Sequence, residues 1–468
     1  MKILLLRPHS QVPAAPPPIG LMYLAGYLRQ HRTQDQFEVF DARIKLAPPP
    51  EIEKILLRFQ PDVVGITAFT MEAPEARSLA ALVKKHFPRV PVVLGGPYPS
   101  SDPEGAGQVE DFDFLVLGEG EITFANLLNT LENGGDPAQI KGLLFRRNGG
   151  LIQTGPAQIA ENPDDLPFPA WDLLDLEQYF HPSASKRRLT NPIQMRERGI
   201  SVFTSRGCPY RCTYCHNIFG KKTRFRSPEN VIAELKWLKS QFKVNEIEFI
   251  DDVFNLDLPR AKKIIDLMLA ENLDLKFSFP NGLRADHMDE ELILKMKAAG
   301  CYRINYAIES GSPRIQKIMR KNLKLPRARE IIDFTASQNI SVGGFFMLGF
   351  PDETEEEMLM TIDFALKSKC HTASFFILTP FPGTEMYQEA IKVGVDMEAM
   401  YSDYGAVSKN LTRNVPSQKI KKLRTRAFRK FYFNPSRMWN ILKTTPNKMA
   451  LLRNFLRTTK LSFLGKEY

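Results

Sequence analysis

Three of the chain's five cysteines crowd into one short segment, Ser205-Arg-Gly-Cys-Pro-Tyr-Arg-Cys-Thr-Tyr-Cys-His216, where Cys208, Cys212 and Cys215 are spaced by four and then three residues. Thiolates at these spacings can converge on one metal centre, because a short loop folds back on itself over that length. They are soft ligands, suited to zinc or to iron–sulfur clusters. A four-iron four-sulfur cluster held by only three thiolates would keep one iron open to a further ligand. A zinc ion would instead take His216 as fourth ligand and close a structural Cys3His site. Spacing alone leaves both open. Cys301 and Cys370 stand alone and read as small buried core residues.

These residues need elements to position them. Residues 1–150 alternate short, fully apolar runs with helical spacing: Lys2 to Leu6, Phe37 to Phe40, Asp62 to Ile66, Val92 to Leu94 and Phe114 to Leu117, separated by helical stretches such as Ile19 to His31 and Glu75 to His86. Such strands belong to a parallel sheet covered on both faces. The expectation is an α/β, doubly wound, Rossmann-like domain of about five strands with its ligand crevice at the strands' carboxyl ends. A hairpin follows, turning at Asn148 to Gly150. Prolines 163, 167, 169, 182 and 192, with the basic cluster Lys186 to Arg188, mark residues 156–198 as a linker. From 199 to 395 the alternation resumes in six β/α units, too few for an eight-unit barrel and right for an open (β/α)6 partial TIM barrel. The cysteine segment comes directly after the first strand of that barrel, where barrels carry their catalytic loops. Residues 396–468 read as a basic helical segment.

Composition narrows the function classes. The 468 residues are 43% hydrophobic and 25% charged, an ordinary globular balance. No long uninterrupted apolar run suggests a membrane span, and the start has no cleavage-site pattern, so a reduced cytoplasmic protein is expected. The net charge of +10 is uneven: from Lys409 onward there are 16 Lys and Arg against one acid, Glu467, leaving −5 on the first 408 residues. Nucleic-acid binding by the main domains is therefore not expected.

The cysteine motif, with Tyr214 just before its third cysteine, resembles that of the radical S-adenosylmethionine enzymes. Later segments match in order: Ile250-Asp-Asp-Val-Phe254, Ile308-Glu-Ser-Gly311, Phe346-Met-Leu-Gly-Phe-Pro351 and Thr379-Pro-Phe-Pro-Gly-Thr384, each after a successive strand. The resemblance implies an oxygen-sensitive 4Fe-4S cluster on Cys208, Cys212 and Cys215. S-adenosylmethionine would bind the open iron and be cleaved reductively to a 5′-deoxyadenosyl radical. Tyr214 would lie beside the adenine, and Asp251, Glu309 and Ser310 would contact the amine, ribose and carboxylate. Read as plain structure, the same acids and serine would cap the following helices.

The first domain lacks Gly-x-Gly-x-x-Gly after its first strand, which disfavours a dinucleotide. Its glycines stand elsewhere: Gly20, Gly65 near Thr67, Gly95 and Gly96, and Gly118 and Gly120 around Glu119. Glycines past several adjacent strands admit one broad flat ligand. Placed before the cluster domain, this pattern resembles the cobalamin-binding domain of cobalamin-dependent radical S-adenosylmethionine enzymes. The Asp-x-His-x-x-Gly motif that supplies a lower histidine is absent, since Arg7 and Val12 flank His9 where Asp and Gly would stand, and Tyr98 replaces the histidine often found after Gly-Gly-Pro. The resemblance implies cobalamin without a protein imidazole. It points to methyl transfer to an unactivated carbon of a small molecule, with ring formation, oxidation or contraction as the alternative outcome and a non-enzymatic zinc or membrane-binding module as the other class. It also implies an external one-electron donor such as flavodoxin or ferredoxin. The basic, aromatic tail reads either as a helical cover for the barrel or as a peripheral attachment to anionic membrane, in which case the substrate would be a lipid or isoprenoid delivered to the barrel mouth.

Overall fold

A computed structural model of the chain describes residues 1–10, 16–45, 49–180, 194–215, 218–395, 411–449 and 451. His216 and the cluster Lys186 to Arg188 lie outside the described residues. The chain forms two compact units, Met1–Leu189 with His216–Arg224, and Thr190–Cys215 with Phe225–Tyr468.

In the first unit, β1 (Lys2–Arg7), β2 (Gln36–Asp41), β3 (Val63–Thr67), β4 (Val92–Gly95) and β5 (Phe114–Val116) pair in parallel in the order β2-β1-β3-β4-β5. This is the doubly wound order whose switch point lies between β1 and β3. Leu4, Leu6, Val64 and Leu94 pack with Leu56, Ala76, Ala80 and Val83 from helices Pro49–Phe59 and Ala73–His86. The continuous apolar strands are thus explained by burial on both faces. The hairpin β6 (Leu143–Arg147) and β7 (Gly150–Gln153) adds an antiparallel edge to the same sheet, so it has seven strands rather than five. Asn148 and Gly149 at its turn both have positive φ, 52° and 78°, as a tight right-twisting hairpin requires.

The expected linker is not a free connection over its first half. Residues 156–180 form only short elements, 3-10 turns at Pro163–Asp165 and Trp171–Leu173 and the helix Glu177–Phe180, and their side chains fold onto the first unit: Trp171 and Phe180 are each 1% exposed. The Ala170 N–H donates to the Met22 carbonyl at 2.9 Å, and the Tyr179 hydroxyl donates to Asp41 Oδ2 at 2.7 Å.

In the second unit, β8 (Gly199–Val202), β9 (Glu246–Phe249), β10 (Lys276–Leu283), β11 (Cys301–Glu309), β12 (Ser341–Leu348) and β13 (Thr372–Ile377) form one all-parallel sheet in chain order. Helices such as Pro228–Phe242, Leu258–Ala270, Leu325–Ser337 and Glu355–Lys367 join them. Phe249, Phe254, Phe277 and Phe279 interlock with centroids 4.8 to 5.9 Å apart, and Cys301 and Cys370 are buried as expected.

A six-strand sheet leaves an unpaired edge at β13, and buried unpaired backbone groups are costly. Helix Ser417–Tyr432 covers that edge and buries Ile420, Leu423, Ala427 and Phe431. The Tyr432 hydroxyl accepts from the Ala373 N–H at 3.1 Å and donates to the Ala373 carbonyl at 2.9 Å, standing in for a missing strand. This half of the basic tail is therefore a cover for the barrel. Among the described residues no helix is long and apolar enough to cross a membrane.

Tyr432→Phe keeps the ring and orphans the Ala373 amide, so it should cost about 1–3 kcal/mol. Denaturant midpoints should fall accordingly, and amide exchange within β13 should quicken while exchange in β9 stays unchanged.

Candidate active site

The chain leaves β8 and must turn at once into the cysteine loop. Asp251, just past the end of β9, fixes that turn: its Oδ1 accepts from the Thr204 N–H at 2.9 Å, the Thr204 hydroxyl at 2.9 Å and the Ser205 hydroxyl at 2.6 Å. Arg260 donates to the Thr204 carbonyl at 2.5 Å and to the Arg226 carbonyl at 2.8 Å, holding the same turn from the helix Leu258–Ala270. Asp251 is 3% exposed, and burial raises its carboxyl above the usual range despite the opposing bonds from Ser205 and Thr204. Its Oδ2 is buried without a protein partner.

The far end of the loop is pinned by backbone. The Thr213 N–H donates to the Met319 carbonyl at 3.1 Å, and the Met386 N–H donates to the Thr213 carbonyl at 3.2 Å. Tyr214 packs against an apolar cluster that includes Ile315, Met319, Phe350, Leu378 and Met386, with its ring edge-to-face on Phe350 at 5.9 Å. Tyr210, between the first two cysteines, lies under the Arg284 guanidinium at 4.3 Å, with its hydroxyl 3.2 Å from His287 Nε2.

Cys208 and Cys212 are half-buried, and Cys215 reaches solvent at one face. The protein crowded around Cys215, followed by Cys212 and Cys208, pushes its thiol up to about 12. Three thiols that would repel one another as thiolates are what a cationic iron centre relieves, so this donor set fits an iron–sulfur cluster. Among the described residues no three His, Cys, Asp or Glu side chains stand close enough to hold a single metal ion.

Glu309 ends β11 with φ +67°, a left-handed conformation that a non-glycine residue keeps only where its surroundings hold it. It is held by Lys321, whose Nζ lies 3.1 Å from Glu309 Oε1 and 3.3 Å from the Tyr214 hydroxyl. Lys321 thus ties the aromatic of the cysteine loop to the acid at the fourth strand's end, and the sequence reading missed it. Burial and then Glu309 raise the Tyr214 phenol well above its ordinary range. Ser310 is fully buried, and its hydroxyl is engaged by Thr361 Oγ1 at 3.1 Å and the Ser312 N–H at 3.1 Å. A Cβ on the next residue, Gly311, would stand 2.6 Å from the Met360 carbonyl, so only glycine lets this turn approach helix Glu355–Lys367.

Phe350, which backs Tyr214, is placed by a further buried acid. Glu353 Oε2 accepts from the Gly349 N–H at 2.6 Å and the Phe350 N–H at 3.0 Å.

A Cβ built on Gly20, in the first turn of helix Ile19–His31, or on Gly95, at the end of β4, would meet nothing within 4 Å, which is open space of the kind a broad ligand needs. Gly96 has φ +88° and a Cβ there would stand 2.5 Å from Thr67 Oγ1. The Ser100 hydroxyl accepts from the Gly118 N–H and donates to the Gly96 carbonyl, both at 2.8 Å, tying the loops after β4 and β5 together. Gly120 precedes helix Glu121–Asn133. Two assigned residues lie differently from the sequence reading. Gly65 sits inside β3, not at its end, and a Cβ there would stand 2.9 Å from Leu5 and 3.5 Å from Phe124, so its smallness serves helix packing. Glu119 is buried in an ion pair with Arg224, which also donates to the Ala160 carbonyl at 2.5 Å. Tyr98, in the place often held by histidine, is fully buried and accepts from Arg77 at 2.8 Å. Arg7 pairs with Asp41 at 3.4 Å and Arg43 with Glu72 at 3.0 Å, all four buried.

Residues 202–365 match the Radical SAM superfamily and residues 10–128 match the B12 binding domain. An uncharacterized methyltransferase of Pyrococcus horikoshii is 33% identical over 93% of this chain and 93% of its own length. The cytidylyl-2-hydroxyethylphosphonate methyltransferase of Streptomyces wedmorensis is 28% identical over 94% of this chain and 92% of its own. Among solved structures, the radical S-adenosylmethionine methyltransferase TsrM from Kitasatospora setae, with tryptophan and aza-SAM bound, superposes with a TM-score of 0.70 at 21% identity, covering 83% of this chain and 76% of that one. The chain belongs to the cobalamin-dependent radical S-adenosylmethionine enzymes. Its cofactors are accordingly a 4Fe-4S cluster, S-adenosylmethionine and cobalamin.

Burial lifts the Glu353 carboxyl from an ordinary 4.5 to about 7, against the bonds it accepts from Gly349 and Phe350. Its stabilising contribution is complete below the unfolded value and is lost as pH rises through about 7. Glu353→Gln keeps an accepting oxygen and cannot ionise. Its thermal midpoint should match the parent's near pH 5 and exceed it near pH 8, by up to about 2 kcal/mol of stability. Parallel midpoint curves across that range would contradict this role.

Proposed function

We propose that this enzyme is a methyltransferase that places a methyl group on an unactivated carbon of a small molecule. The observation that carries this reading is the three-thiol loop, clamped at both ends at the carboxyl side of an open six-strand barrel, in a chain that matches methyltransferase-named relatives nearly end to end. When bound, the cluster and cobalamin supply reductive cleavage of S-adenosylmethionine and a methyl carrier.

The chain's own residues divide the remaining work. Cys208, Cys212 and Cys215 would hold the cluster, and with no fourth cysteine in the loop its remaining ligand position would be open to S-adenosylmethionine. Tyr214, backed by Phe350, offers an aromatic wall, and Lys321 with Glu309 supplies paired charges for the polar end of that ligand. Asp251 and Ser310 act as positioning residues: Asp251 sets the start of the loop, and Ser310 sets the turn after Glu309. Gly20, Thr67, Gly95, Gly96 and Gly118 line the cobalamin crevice, with Gly120 and Glu119 shaping its rim and Gly65 serving the core instead. His9 would not serve as a ligand to cobalamin, because the residues that would orient it are Arg7 and Val12 rather than an acid and a glycine. The electron comes from an external donor of flavodoxin or ferredoxin type, in a reducing cytoplasm. A lipid or isoprenoid substrate has weaker support, since helix Pro435–Thr444 of the tail is held through Arg437 to carbonyls that precede β13, at the opposite end of the sheet from the cysteine loop.

Anaerobic incubation of the enzyme and candidate small molecules with methyl-labelled S-adenosylmethionine and a reductant should yield 5′-deoxyadenosine and a labelled product. Cys208→Ala, Cys212→Ala and Cys215→Ala should each abolish both. Deoxyadenosine formed without label in the product would replace methyl transfer by another radical outcome, and protein isolated with one zinc and no iron would remove the radical reading altogether. Separately, electron paramagnetic resonance of the cob(II)alamin form should lack nitrogen superhyperfine splitting. A nitrogen signal that disappears in His9→Ala would overturn the imidazole-free cobalt site.

A further inference from the structure

Helix Pro435–Thr444 buries no residue, yet it is firmly attached. Its inner face is Arg437, which donates to the Cys370, Leu366 and Ser368 carbonyls, the last two at 3.0 and 3.2 Å, and lies 3.7 Å over the Phe431 ring. The helical period then sends Met438, Trp439 and Leu442 outward, 39%, 60% and 41% exposed, with Phe433 at 65% and Met449 at 62% beside them. This inverts the usual arrangement, in which the apolar stripe faces the core. Lys443 lies 5.5 Å over the Trp439 ring. From Leu411 to Met449 the chain has eleven Lys and Arg and no Asp or Glu, and Arg426, Arg429 and Lys430 among them are exposed.

We propose that this outward face docks on the surface of an anionic lipid bilayer. Charge complementarity selects that occupant. A second copy would bring two surfaces of the same strong positive charge together. A nucleic acid would satisfy the charge and could stack on Trp439, but it gives Met438, Leu442 and Met449 nothing to bury against. A bilayer interface takes aliphatic and aromatic side chains into the headgroup boundary while cations remain at the lipid phosphates. The carbonyls that Arg437 holds all precede β13, so the helix lies at the amino-terminal end of the barrel sheet, opposite the cysteine loop. Docking there tethers the enzyme and keeps the mouth of the barrel free, rather than feeding lipid into it.

The test uses full-length holoenzyme and flotation with vesicles of phosphatidylcholine alone or with phosphatidylglycerol. The protein should float only with the anionic vesicles, and less with added salt. Trp439→Ser with Leu442→Ser should weaken binding at least tenfold, and Arg426→Gln with Arg429→Gln and Lys430→Gln by roughly a hundredfold. Both variants should keep the parent's thermal midpoint, because the altered side chains are exposed. A blue shift of Trp439 emission on binding, lost in Trp439→Ser, would support insertion. The proposal falls if the parent stays with the vesicle-free fraction, if both variants float as the parent does, or if these substitutions abolish self-association or binding to single-stranded RNA in a protein that does not float.

Discussion

One carboxylate oxygen, Oδ1 of Asp251, accepts three hydrogen bonds from Thr204 and Ser205, and the geometry of the cysteine loop follows from that grip. A loop with a glycine and a proline, paired with Arg224–Phe225 only over Ser205–Arg206 among the described residues, has little structure of its own. Its ends must therefore be set from outside, by Asp251 where it leaves the first strand and by Met319 and Met386 where it returns. The cost is a buried acid with one orphaned oxygen and a raised carboxyl. A strand end in a parallel barrel makes that arrangement possible, because adjacent strands deliver their carboxyl ends to one side and the second strand's acid falls beside the first strand's loop.

The same logic extends around the barrel. Glu309 in a left-handed conformation, Gly311 against a helix carbonyl, and Glu353 under the Gly349 and Phe350 amides each hold a strand end in a shape that local propensity does not favour. Two of the three reach Tyr214, Glu309 through Lys321 and Glu353 through Phe350. These carboxyl ends thus carry conformational cost, while the strands themselves are apolar and interlocked. That division is expected of a fold in which a rigid scaffold presents variable chemistry.

What was legible in the sequence was what is local. The cysteine spacing, the strand and helix alternation, the Asn-Gly turn and the count of six units each depend on a few consecutive residues. What was not legible depends on distant pairing. Lys321 follows a short helix, and nothing near it in sequence signals that it meets both Glu309 and Tyr214. Gly65 groups with Thr67 in the sequence as part of the strand's end, and only Leu5 and Phe124 reveal that its face is inward. Glu119 looked available until Arg224, more than a hundred residues later, took it. The proline-rich stretch reads as resisting helix and sheet, yet it holds 3-10 turns and the short helix Glu177–Phe180, and the burial of Trp171 and Tyr179 could not be seen from proline content. For the candidate contacts, the cysteine loop's residue types were readable and the roles of Asp251 and Ser310 were not, because a polar side chain at a strand end may face either the ligand or the next turn.

The tail divides along the same line. Its basic composition was evident, but composition could not separate a cover for the barrel from a surface for a partner, and the structure assigns these roles to successive helices. Ser417–Tyr432 must pack, because an open parallel sheet leaves β13 with unpaired amides that a tyrosine hydroxyl and a row of apolar side chains can satisfy. Pro435–Thr444, which buries no residue of its own, is attached through one arginine to three carbonyls instead. Arg437 is well suited to this, since a planar fork of donors can serve several acceptors while its face stacks on Phe431. Anchoring the helix by its polar side is what leaves Met438, Trp439 and Leu442 to face outward, so their exposure follows from how the open barrel edge is closed.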